Sequence, residues 1–138
     1  MEQPTIRAWF NHLWQWILNI YNLVNAMLVT TETGGTITTT GAVQDVYINN
    51  APAGVFESLI VNIDLTNMGA AHTLVVSLYY RVNQAGGLIL ADQINYAGVQ
   101  AIPLKTVHLN PNRYGVRVAL QLTAGANINI DWEVVYRV

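Results

Sequence analysis

Between Ile6 and Leu28 apolar residues recur in alternating steps of four and three, at Ile6, Phe10, Leu13, Ile17, Ile20, Val24 and Met27. That spacing is a heptad seam and predicts one long amphipathic α-helix. Pro4 and Thr5 suit its start, with Thr5 as N-cap, and the pattern runs to about Val29. Trp9, Trp16 and Leu23 widen the seam on one side, and Trp14, Tyr21 and Leu28 on the other. Only a narrow stripe stays polar: Asn11, His12, Gln15, Asn19, Asn22 and Asn25.

A two-stranded coiled coil hides its two seam positions and places charges beside them. Here the flanks are aromatic or Leu, and Arg7 is the only formal charge from Ile6 to Thr31. A face this wide suits a bundle of three or more helices, or a helix lying in a groove of its own domain. Burying about a dozen such side chains at ~1.5–3 kcal/mol each is worth roughly 20 kcal/mol before entropy is subtracted. The expected oligomer-interface residues are Ile6, Phe10, Leu13, Trp14, Trp16, Ile17, Ile20, Tyr21, Val24 and Met27. Two further readings stay open. The span is long enough for a bilayer, with Trp near one end, but its Asn, Gln and His are costly in lipid unless turned toward partners or a pore. Val24-Asn25-Ala26 resembles a signal-peptide cleavage site, but Glu2 and the broken apolar run are unlike a signal peptide.

After Thr30–Gly35, read as a hinge at Gly34-Gly35, the period changes to two and stays there. Eight short strands are predicted, at 36–40, 44–49, 58–66, 73–82, 88–96, 104–109, 114–122 and 128–138. The inward sets are Val46 and Ile48; Leu59, Val61, Ile63 and Leu65; Leu74, Val76, Leu78, Tyr80 and Val82; Tyr114, Val116, Val118, Leu120 and Leu122; and Ile128, Ile130, Trp132, Val134, Tyr136 and Val138. Turns rich in Asn, Gly and Pro separate them, as at Asn110-Pro111-Asn112. The fold class is therefore mainly β: an antiparallel eight-stranded β-sandwich, a jelly roll before an immunoglobulin-like sandwich, preceded by one long helix. The domains are residues 1–30, an oligomerisation helix, and residues 31–138, the sandwich. Ile60, Val75, Tyr79, Ala119 and Val135 fall on faces that should meet water, so part of the outer surface is expected to be covered by a neighbouring subunit or by the helix.

Composition sharpens this. Hydrophobic residues make up 52% of the 138 and charged residues only 10%, well under the usual quarter. Such a surface favours assembly. The net charge of −2 comes with six scattered basic residues, so there is no basic stripe for nucleic acid. The absence of cysteine removes disulfides and thiolate chemistry.

Candidate chemistry is sparse. His12, His72 and His108 have no second ligand at metal spacing. Asp131 and Glu133 share a strand face, as an acid pair, as calcium ligands, or as a solvated face paired with Arg117 or Arg137. Ser58 and Ser77 lie outside any nucleophile-elbow context. Gly34-Gly35 and Gly86-Gly87 do not sit between strand and helix, as a phosphate loop would. Tyr79 is the one surface aromatic platform. The expectation is a protein that is not an enzyme and takes no cofactor or metal.

Several strings in the β part carry a resemblance: Thr31-Glu32-Thr33-Gly34-Gly35-Thr36, Tyr47-Ile48-Asn49-Asn50-Ala51-Pro52-Ala53-Gly54-Val55-Phe56-Glu57, Tyr79-Tyr80-Arg81, Ala97-Gly98-Val99-Gln100, Pro111-Asn112-Arg113-Tyr114-Gly115-Val116 and Asp131-Trp132-Glu133-Val134. Over most of residues 20 to 138 the chain resembles small uncharacterised proteins encoded by archaeal and bacterial viruses or their integrated remnants. The resemblance implies a virion or assembly component and no catalytic residues. Its strands are poorer in Lys and Glu than that family pattern. The expected function is a self-assembling structural protein, a trimer or pentamer. The alternatives are a receptor- or glycan-binding head on a helical stalk, with loops 49–54 and 97–103 as its surface, and a membrane-embedded or pore-forming assembly through residues 6–28.

Overall fold

The structure, a computed structural model, describes residues 5–28, 30–50 and 59–137, with side chains over 5–25, 32–50 and 60–135. The chain divides into two compact units, Met1–Thr30 and Thr31–Val138. The first contains helix α1, Ile6–Leu28. Its first turn is closed by the Thr5 carbonyl, which accepts from the amides of Ala8 and Trp9.

The second unit is a β-sandwich of two four-stranded antiparallel sheets. Its strands are β1 (Thr30–Thr38), β2 (Gln44–Asn49), β3 (Leu59–Asp64), β4 (Thr73–Tyr80), β5 (Ile89–Ala97), β6 (Leu104–Leu109), β7 (Val116–Ala124) and β8 (Asn129–Arg137). One sheet has the order β1-β8-β3-β6, the other β2-β7-β4-β5. Alternation puts every second side chain of the central strands between the layers. The buried core joins Val61 and Ile63 of β3 and Ile130 and Val134 of β8 to Leu74 and Val76 of β4 and Val118 and Leu120 of β7. Met68, from the β3–β4 connection, closes one end of it.

The strand interiors follow the alternation, and the departures have local causes. Thr30–Gly35 is not a hinge: β1 begins at Thr30 and runs through both glycines. A Cβ on Gly34 would stand 2.7 Å from the Trp132 carbonyl oxygen, and one on Gly35 would touch the Trp132 ring. These glycines mark close approach between strands rather than a break. Ile48 is exposed, not inward, because the β2–β7 register shifts between Asp45 and Tyr47. That bulge sends the consecutive pair Val46 and Tyr47 toward the core. Val82 is also exposed, since β4 ends at Tyr80 and the Arg81 amide turns to the Gly115 carbonyl. Ala119, expected to face water, is buried beside Ser77, its partner across β4 and β7. The side chains of Met27, Leu59, Tyr136 and Val138, and most of the 49–54 loop, lie outside the described residues.

Four connections meet at one end of the sandwich, tied through their backbones. The Thr39 amide donates to the Ile128 carbonyl at 2.9 Å, and the buried Thr39 hydroxyl accepts from the Ile128 amide at 2.8 Å. The Leu65 amide reaches the Pro103 carbonyl at 3.0 Å. The Gly98 amide reaches the His72 carbonyl at 2.8 Å. His72 uses both ring nitrogens: Nδ1 accepts from the Gly69 amide at 2.8 Å, and Nε2 lies 3.0 Å from the Ala126 carbonyl. The neutral tautomer protonated on Nε2 satisfies both contacts.

Candidate interaction surfaces

The helix is the first surface. A single helix cannot bury its own apolar face. Side chains from Ile6 to Val24 are exposed, and the nine interface candidates among them retain between 41 and 78% of their surface. Aromatic pairs organise the face locally. Trp9 meets Phe10 edge-on at 5.4 Å, and His12 of the polar stripe lies 6.2 Å from Trp16, one turn along. The helix has no acid in its first turn and no base in its last, so nothing complements its macrodipole from within. Among the described residues, no helix is long and apolar enough to cross a membrane.

The outer face of the β1-β8-β3-β6 sheet carries a polar network, beside the half-buried pair Ile60 and Val135 across β3 and β8. The Thr106 hydroxyl donates to Asn62 Oδ1 at 2.7 Å, and Asn62 Nδ2 donates to Glu133 Oε1 at 2.7 Å. Thr36 donates to Asp131, and Thr38 to the Asn129 side chain at 2.7 Å. Asp64 stands opposite Asp131 across β3 and β8. The Thr66 hydroxyl, and after it the Thr66 amide, holds the Asp64 carboxyl below its ordinary value. A shallow cavity of about 280 Å³ opens here, lined by Asn62, Asp64, Leu104, Asp131, Trp132 and Glu133. Among the described residues no three His, Asp or Glu side chains stand close enough to hold a metal. Asp131 and Glu133 are met by neutral donors.

Arg117 does not pair with them, because β7 belongs to the other sheet. Its Nε donates to Asp45 at 2.5 Å, the one ion pair among the described residues, and its guanidinium lies 5.1 Å from the centre of the Tyr79 ring. The Tyr79 platform is thus covered by a cation of its own chain. Gln93 donates to the Ser77 hydroxyl at 3.1 Å on the same face.

At the end of the sandwich where β4 leads to β5, a groove of about 330 Å³ is lined by Tyr80, Val82, Ile89, Leu90, Pro111 and their neighbours. The Asn110 amide donates to the Tyr80 hydroxyl at 2.6 Å, and burial of that ring pushes its phenol up. Asn112 Oδ1 caps the turn by accepting from the amides of Tyr114 and Gly115. Within the sandwich, His72 belongs to an end connection and His108 to the exposed edge of β6; His12 belongs to the helix.

No protein-family model matches the chain, and no curated protein matches it. It is similar to a solved structure, the crystal structure of PirA, with 20% identity over 78% of this chain and 93% of that one, at a TM-score of 0.45.

Proposed function

We propose that this chain is a non-enzymatic structural protein that self-assembles through its N-terminal helix. The reading rests above all on the exposed apolar face from Ile6 to Val24. About a dozen side chains there, five of them aromatic, leave on the order of 1,000 Å² of apolar surface in water. A stable interface takes roughly 800 Å² from each partner. The width of the seam favours a trimer or pentamer over a pair.

The finer fold we propose is a jelly roll. The hydrogen-bonded pairs β1/β8, β2/β7, β3/β6 and β4/β5 are nested like the arms of one long hairpin, and they alternate between the sheets. Sandwiches of this kind recur in viral capsids and lectins. A virion component agrees with the resemblance carried by the Thr31–Thr36 and Pro111–Val116 strings. A glycan-binding head is the weaker reading, since Arg117 lies over the Tyr79 ring.

Ile17→Asp tests the interface. It places one carboxylate per subunit in the middle of the seam, at a cost of several kcal/mol each unless protonated. The expected result is loss of the helix-mediated trimer or pentamer with strand signal retained. Assembly with unchanged mass and melting temperature at neutral pH would end the bundle reading.

A further inference from the structure

The end of the sandwich where four connections meet has a property that no single stretch of sequence displays. Residues 39–43, 65–72, 98–103 and 125–128 contain no Asp, Glu, Lys or Arg. These four segments are far apart in the chain and are joined by the Thr39–Ile128, Leu65–Pro103, Gly98–His72 and His72–Ala126 hydrogen bonds. Large apolar side chains stand out from them: Val99 is 72% exposed, Ile102 71% and Val43 49%. The hydrogen bonds tie the segments to one another, so the surface offered is uncharged and fixed at those points, with exposed Thr40, Thr66, Asn67 and Asn127 among its apolar side chains.

We propose that this end face is a second self-association surface, docking end-on against the same face of another copy. Its size fits: 20 of the residues in these segments are at least partly exposed, at the lower end of the ~20–30 that a stable interface uses on each side. Its lack of charge fits a two-fold contact, where residues near the axis meet their own copies and a charge there would meet its like. A lipid surface is the other apolar partner to weigh. Loops that enter membranes carry Lys or Arg for headgroups or Trp and Tyr for the interface, and these four segments contain none of the four. The contact is separate from the helix seam and does not depend on it.

The test is sedimentation of the full chain carrying Val99→Asp and Ile102→Asp together. Both side chains are exposed, so strand circular dichroism and the melting temperature should hold. The expected result is an assembly of half the wild-type mass or less. Adding Ile17→Asp should then give monomers, and Ile17→Asp alone should leave dimers. An unchanged mass for the folded double variant overturns the end-face contact whatever Ile17→Asp does. Ile17→Asp failing to lower the mass counts against the helix reading alone. Flotation of the wild type, but not the double variant, with vesicles of neutral and anionic phospholipid, at unchanged mass, would assign the face to lipid and also overturn the proposal.

Discussion

Gly125 leans on His72: at φ +96° it leaves no room for a side chain, since a Cβ would stand 2.5 Å from His72 Cδ2 and 3.1 Å from His72 Cα. The β7–β8 turn can therefore close over the histidine only with glycine at this position. His72 in turn fastens that turn to Gly69 and Ala126. Gly125→Ala should cost about 2 kcal/mol or more, combining left-handed backbone strain with the clash. His72→Ala in the same chain should recover only part of it, because the His72 backbone is also close. Urea midpoints of the two single variants and the double variant measure this coupling.

Stability should fall in alkali. Burial pushes the phenol of Tyr80 up, and burial followed by the Asp92 charge does the same for Tyr96. A raised phenol favours the protonated form in the folded chain. Its contribution is complete below the ordinary tyrosine value of about 10 and is lost as pH rises through the folded-state value. Urea midpoints at about pH 9 and pH 11 should differ, with a smaller gap in Tyr96→Phe.

Asp64 has the opposite sign. Its carboxyl is held below the ordinary value, first by the Thr66 hydroxyl and then by the Thr66 amide. The stabilisation is present above the usual carboxylate range, near pH ~4, and is lost as pH falls through the lower folded-state value. A carbon-detected titration of the Asp64 carboxyl should show a low midpoint, and Thr66→Val should return it part of the way.

The sandwich should fold without the helix. Ile63 and Ile130 from one sheet and Leu74 and Val118 from the other are all fully buried within the second unit. A chain beginning at residue 31 should keep strand circular dichroism and a cooperative melt. An unfolded product would mean that the helix completes the core.

The interiors of the strands were legible because alternation is a local signal. The bounds of β2 and β6 match the sequence reading to the residue. What failed depended on a partner strand. Gly34 and Gly35 look like a break until Trp132 is placed against them. Ile48 turns outward because of a register shift that only β7 defines. Arg117 finds Asp45 instead of Asp131 because the sheet order separates them. The uncharged end face was missed for a related reason: its signal is an absence spread over alternate connections, visible only once those connections are grouped. The wide helical seam needed no partner to be seen, and it is the feature on which the functional account depends.

Native mass spectrometry of the intact chain in plain buffer tests that account most directly. The expected spectrum contains closed multiples of the chain, built on three or five copies, with no stable monomer at micromolar concentration. A soluble, folded single chain under those conditions would contradict it.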